Sequence, residues 1–177
     1  MVLELQKFSG SDIDQLVSWI PDARFLLQMA GPKYNFPLDK TQLEETLALT
    51  SGDKPSFLMF KAVIASTQIA IGHLQLMNVN YERKSCIIGR VLIGDLKQRG
   101  KGFGESLVRL AVEYSFERIG MDEITLNVYD FNKSAINCYK KIGFKECESK
   151  KNASQFHDET WNSINMKLSK SRYMGHI

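Results

Sequence analysis

Six consecutive residues, Arg99-Gly100-Lys101-Gly102-Phe103-Gly104, follow an apolar run, VLIG, after four intervening residues and lead directly into an amphipathic one, ESLVRL. Glycines at this spacing let the backbone approach an anion closely. At a helix start the unpaired N–H groups and the positive end of the helix dipole point at it as well. Arg99 and Lys101 bring positive charge to the same place. Two readings stand at this point: a phosphate-type anion site, or a tight strand-to-helix turn that needs glycine for its backbone alone. Two other phosphate loops are excluded by spacing. The P-loop fails because Gly94 lies one residue too far upstream and Lys101 is followed by Gly102 instead of Ser or Thr. The dinucleotide fingerprint G-x-G-x-x-G fails because the segment reads GKGFG, with no early βαβ unit before it.

Other reactive side chains are sparse. Cys86, Cys138 and Cys147 are odd in number and lack paired metal spacing, which supports neither a disulfide framework nor a metal site. None has an adjacent histidine to lower its thiol pKa, so a covalent thiol mechanism is disfavoured. His73 and Gln75 alternate with Leu74 and Leu76 and so share one face of a strand, where His73 is the candidate general base, working through water. Glu82, in the turn NYERK, reads as a solvated charge.

These residues need elements to hold them. Ser11 and Asp12 can cap a short helix carrying Ile13, Leu16, Val17 and Ile20, stopped by Pro21. A second helix from Thr41 to Leu49 follows a long loop, with Asp39 as its cap. Three strands then succeed one another as hairpins, in FLMFKAVI, IAIGHLQLMNV and CIIGRVLI. The run from Gly104 to Gly120 repeats Leu107, Leu110, Ala111 and Tyr114 at helical spacing. Strand EITLNVY, a helix from Lys133 to Ile142 ended at Gly143, strand FKECES and a last strand over Thr160 to Leu168 complete the order. The fold class expected is α/β (α+β): a mixed, mostly antiparallel central sheet of six to seven strands flanked by helices on both faces.

The chain has 177 residues, enough for one hydrophobic core. A single domain over 1–177 is expected, divided into a helical segment (1–56), the sheet and binding core (57–168) and a frayed tail (169–177). The formal charge of +3 is small and dispersed, implying neither a nucleic-acid nor a membrane surface. No run of about 18 apolar residues occurs and no basic segment leads into an apolar one, so a cytoplasmic protein is expected.

Arg99, Gly102 and Gly104 match the R/Q-x-x-G-x-G/A signature of GNAT acetyltransferases, and the resemblance extends downstream. The segment DFNKSAINCYKKIGF is similar to that family's N-x-x-A-x-x-x-Y-x-x-x-G-F block through Asn132, Ala135, Tyr139, Gly143 and Phe144. The resemblance covers Phe57 to Phe144, and residues 24–47 look like the acceptor-side segment of the ribosomal-protein and small-amine branch. It implies a GNAT-like fold and acetyl-coenzyme A as co-substrate, with no metal. Backbone groups of Arg99, Gly100, Lys101, Gly102, Phe103 and Gly104 would hold the pyrophosphate. Val91, Leu92 and Ile93 would pair with the pantetheine arm, which Asn132 would also bond. Tyr139 would protonate the leaving thiolate, and a strand N–H would stabilise charge on the acetyl oxygen.

The implied reaction is direct transfer to a primary amine, whether a small amine, polyamine, amino acid or protein amino terminus, with Phe25, Tyr34, Phe36 and Tyr81 lining its pocket. A lysine-like amine near pKa 10.4 is only about one part in 2500 neutral at pH 7, a cost of roughly 4.6 kcal/mol, whereas an amino terminus near 7.7 needs little help. Many relatives carry a glutamate before the Gly-Arg-Val of the coenzyme strand. Here Ile87 and Ile88 stand before Gly89 and Arg90, which leaves the base unassigned apart from His73. A coenzyme A-binding sensor with the same fold is the competing reading, and a homodimer is the expected assembly.

Overall fold

The computed structural model describes residues 2–175. Seven strands form one sheet: β1 (Leu3–Lys7), β2 (Leu58–Ile64), β3 (Ala70–Asn80), β4 (Ser85–Ile93), β5 (Glu123–Tyr129), β6 (Lys145–Phe156) and β7 (Glu159–Ser169). Their order is β1-β2-β3-β4-β5-β7-β6, and every neighbouring pair is antiparallel except β4 and β5. The mixed, mostly antiparallel sheet is therefore as the sequence implies. Strand β1 has no counterpart among the expected elements, because its five residues LELQK alternate too briefly to stand out.

Helices α1 (Ile13–Ser18), α2 (Ala23–Ala30) and α3 (Lys40–Ala48) precede the sheet's main run; α4 (Phe103–Glu113) and α5 (Lys133–Ile142) interrupt it. Two separate cores result. On one face Ile13, Leu16, Leu26 and Leu43 pack with Met59 of β2 and Leu92 of β4. On the other, Leu107, Val108, Ala111 and Val112 of α4 pack with Phe60, Leu74, Ile88 and Leu126. Each such buried Leu, Ile, Val, Met or Phe side chain contributes about 1.5–3 kcal/mol. The alternation Leu58-Met59-Phe60 feeds the two cores in turn, as a strand covered on both faces must.

Three corrections to the expected elements have local causes. The long loop between the first two helices contains α2: Pro21 ends the preceding segment, but Asp22 beyond it caps a new helix by accepting from the Phe25 N–H at 2.7 Å. The α4 helix does not run uniformly to Gly120. It widens into one π turn over Tyr114–Arg118, with Ile119 N–H bonded to the Tyr114 carbonyl. After Ser169 the chain forms α6 (Lys170–Met174) instead of fraying, capped by the Ser169 hydroxyl and tied back by Arg172 Nε donating to the Gly143 carbonyl at 2.7 Å. Residues 176–177 of the expected tail lie outside the described residues.

Two features of β4 open the sheet. First, it pairs with β5 only from Ser85 to Ile87, against Glu123 to Thr125, and then the strands separate. Second, its register against β3 slips by one residue: Gln75 opposes Gly89, but His73 opposes Leu92. Leu74 therefore faces two residues, Arg90 and Val91, and Arg90 takes the left-handed conformation (φ 54°). This β-bulge inverts the strand's alternation. Cys86 and Ile88 before it enter the α4 core, whereas Leu92 beyond it enters the α1–α3 core.

The end of β4 is pinned by Gly94, whose missing Cβ leaves room for the Trp19 indole that follows α1. Gly94→Ala is expected to lower stability by about 1–3 kcal/mol through overpacking, seen as a lower denaturant midpoint. An unchanged midpoint would mean that Trp19 moves aside at no cost.

Candidate active site

Where β4 and β5 part, a groove runs between them. Its central cavity is lined by Ile88 to Ile93 of β4 and Asn127 to Tyr129 of β5, with Phe25 and Met29 of α2 above and Asn132 and Tyr139 at one end. A second cavity shares Val91, Ile93, Asn132 and Tyr139 with the first and continues to Gly100, Gly102 and Gly104. A third shares Ile88 to Arg90 and Asn127 to Tyr129 and opens on the other side towards Lys150, Ser154 and Pro32. The three form one channel through the sheet.

At the glycine end, Gly100 and Gly102 adopt φ of 75° and 82°, which side-chain-bearing residues rarely do. A Cβ at Gly100, Gly102 or Gly104 would meet no protein atom, so these glycines leave a cradle of open space. Gly102 is the left-handed cap of α4 without a side-chain hydrogen bond, and the first intrahelical bond comes from Ser106 N–H. The N–H groups of Phe103, Gly104 and Glu105 are thus left for a ligand, at the positive end of an 11-residue helix. The cradle fits a pyrophosphate. Of the loop's other residues, Phe103 turns its ring into the core and Lys101 Nζ donates to Gln98 at 3.3 Å, so neither side chain lines the channel. Arg99 is held in place: its Nε donates to the Ile93 carbonyl at 2.8 Å, and its guanidinium lies 5.3 Å from the Phe25 ring centre.

The downstream block has a structural reason at each position. Asn132 caps α5, its side-chain oxygen accepting from Ala135 N–H at 3.2 Å, which leaves its amide N–H groups free for a ligand. Gly143 ends the helix at φ 113°, and it and Phe144 both donate to the Tyr139 carbonyl. Tyr139 is thereby fixed by its own backbone at the waist between two cavities. Burial pushes its phenol up to about 12, so it stays protonated and able to donate.

His73 is a correction. It is buried at 1% exposure, lines none of these cavities and packs its ring against Phe8 at 5.0 Å. Burial, and then the charge of Arg90, lower it to about 3. It orients Gln75 through a 3.1 Å contact rather than meeting an acceptor. Of the aromatic candidates, Phe25 lines the central cavity, Tyr34 lies behind Arg90, and Phe36 and Tyr81 line none of the three cavities. Cys86 is pushed up to about 11 by burial, which makes it a poor nucleophile. Among the described residues no group of three His, Cys, Asp or Glu converges on a metal position, and no helix is long and apolar enough to cross a membrane.

Arg90 was not singled out from sequence, although a cation inside CIIGRVLI was the signal. It lines the central and outer cavities, donates from Nη1 to Gln75 and to Tyr34 Oη, and stacks 4.8 Å from the Tyr34 ring. Tyr34 in turn donates to Thr46 at 2.9 Å. Outside the three cavities, Arg24 of α2 reaches the β6–β7 hairpin at Glu159 (2.6 Å) and Trp161.

A family model described as Acetyltransferase (GNAT) domain matches residues 3–145. Spermidine N(1)-acetyltransferase of Vibrio cholerae is 32% identical over 76 residues, 43% of each chain. An N-acetyltransferase 9-like protein of Caenorhabditis elegans is 32% identical over 57 residues, 32% of this chain and 28% of its own. The chain thus aligns with less than half the length of these curated relatives. In fold it is similar to the crystal structure of spermidine N-acetyltransferase from Vibrio cholerae in complex with CoA and spermine, with a TM-score of 0.83 at 22% identity over 97% of this chain and 98% of that one. A dodecameric structure of the same enzyme in an intermediate state gives 0.79 at 23% identity, covering 97% and 96%.

Gly102→Val is expected to weaken coenzyme A binding at least about tenfold, because a branched residue resists φ near 80° and fills the cradle. Calorimetric titration reads the loss, and retained cooperative unfolding separates it from collapse of the fold. Undiminished binding would remove the loop from the coenzyme site.

Proposed function

This chain belongs to the GNAT acetyltransferase domain family, and we propose that it moves an acetyl group from acetyl-coenzyme A to a primary amine, with both substrates bound at once. The observation that carries this reading is the split β4–β5 seam, which joins a phosphate cradle at one end to an open acceptor cavity at the other, with Tyr139 between them.

Acetyl-coenzyme A supplies an activated thioester; the chain's residues bind, orient and move protons. The N–H groups of Phe103 to Glu105 receive the pyrophosphate, with Gly100, Gly102 and Gly104 allowing its approach. The β4 edge beyond Ile87 has no strand partner on the β5 side, so the backbone of Val91 and Leu92 is available to the pantetheine arm and to the acetyl oxygen. Ile93 contributes less, since its carbonyl already accepts from Arg99. Asn132 offers its amide N–H groups to the same arm. Tyr139 Oη holds the proton that the departing sulfur takes.

Acceptor classes within this reading are a small amine, a polyamine, an amino acid or a protein amino terminus; the Vibrio relative's name favours the polyamine. The enzyme is cytoplasmic in this reading, and a homodimer would use the free sheet edges at β1 or β6. A coenzyme A sensor without chemistry draws support from the lack of any Asp, Glu or His among the residues lining the central cavity.

Tyr139→Phe is expected to slow thiol release by a factor on the order of 10² with acetyl-coenzyme A binding unchanged. An unaltered rate would exclude Tyr139 as the acid. The phenol's raised pKa sets a second outcome. Because its proton is lost only near pH 12, kcat/KM should rise with acceptor deprotonation and show no decline up to about pH 10. A falling limb centred near pH 9 that disappears in Tyr139→Phe would contradict the burial of that phenol.

A further inference from the structure

Arg90 is only 8% exposed, yet none of the ion pairs among the described residues includes it. Its protein partners are neutral: Gln75 and Tyr34 accept from Nη1, and Nε is buried without a partner. Those partners aim the guanidinium without neutralising it. A buried cation normally has a counter-charge, because desolvation costs several kcal/mol that neutral acceptors offset only in part. Arg90 is also held in a left-handed backbone conformation at the bulge, at the junction of the central and outer cavities.

The surroundings carry the same sign. The outer cavity's other ionisable side chain apart from Tyr129 is Lys150, the central cavity adds Arg99, and no Asp or Glu lines either. A polyamine would bring several positive charges into a site that offers three cations, Arg90, Arg99 and Lys150, and no carboxylate, and like charges at these distances repel. The lining also holds no group suited to take a proton from the amine: His73 is elsewhere, and Asn127, Ser154 and the Arg90 guanidinium are not bases at neutral pH. The acceptor must therefore arrive largely neutral. An amine near pKa 7.7–8.0 meets that condition a few hundred times more often at pH 7 than one near 10.4, and nearby cations favour the neutral form further.

Resting on the acetyl-transfer reading above, we propose that the acceptor is a weakly basic amine whose own molecule carries an anionic oxygen group, carboxylate or phosphate, received by Arg90 with Lys150 at the rim. The guanidinium fork suits either anion, and its placement beside the central cavity sets the amine next to the reacting carbon.

Matched probes test this in a thiol-release assay on the full chain. Glycylglycine is compared with glycylglycinamide for the carboxylate, and glucosamine 6-phosphate with glucosamine for the phosphate; spermidine serves as the polyamine. At least one anionic probe should exceed both its neutral twin and spermidine by about tenfold or more in kcat/KM. Which pair shows the preference identifies the anion. Arg90→Lys should erase most of that preference through KM while acetyl-coenzyme A still stabilises the protein. Lys150→Glu, at an exposed position that does not threaten folding, should reduce it partially. Equal or better turnover of spermidine or the neutral twins overturns the proposal, as does a preference untouched in both variants. Failure of the acetyl-transfer reading looks different: acetyl-coenzyme A binds but no amine releases thiol. In that case calorimetric binding of the same probes to the coenzyme A-loaded protein still decides, since tighter binding of the anionic members supports the Arg90 assignment and equal or weaker binding rejects it.

Discussion

Three residue pairs hold β4 to β5, and everything that gives the protein a site depends on the ladder stopping there. Continued pairing would use the backbone groups of Ile88 to Ile93 within the sheet and leave no channel. Parallel strands joined through α4 can diverge without leaving orphan polar groups only if a ligand, a side chain or water meets the freed edge. Arg99 already meets part of it at Ile93. The bulge at Arg90 completes the arrangement by turning Leu92 towards the α1–α3 core, so the divergent end of β4 is anchored from both sides.

The electrostatics of the channel follow from the same break. Helix α4 begins directly after the glycine loop that follows β4, so its dipole and unpaired N–H groups lie at the glycine mouth. Arg90 occupies the junction of the central and outer cavities because the bulge turns one extra residue towards the helices that cover the groove. Tyr139 sits opposite in apolar surroundings that keep its proton on. The channel is thus cationic at the glycine mouth and at Arg90, and neutral at Tyr139.

How much of this the sequence disclosed depended on whether the information was local. The glycine loop, the α4 stripe and the block from Asn132 to Phe144 are continuous segments whose spacing states their geometry, and they were legible. Helix α2 was masked because Pro21 reads as a stop while Asp22, one residue later, is a start. Strand β1 is stabilised by pairing with β2, some 60 residues away, which no local pattern reports. The role of His73 could not be inferred from its alternation with Leu74: a strand face says which side a residue takes, not whether that side is cleft or core. Arg90 needed the bulge to be seen, since regular alternation would group it with Ile88.

The sheet also divides the interior into two cores with no residue in common, one beneath α1–α3 and one beneath α4 and α5. Substitutions in separate cores combine almost additively, because they share neither neighbours nor voids. Helix α4, which opens at the glycine cradle, rests on one core, and α2, above the central cavity, rests on the other. A lineage built on this plan is free to exchange the helices over the central cavity and repack beneath them while leaving the glycine cradle intact, so that the cavity's lining is reshaped by drift in one compartment alone.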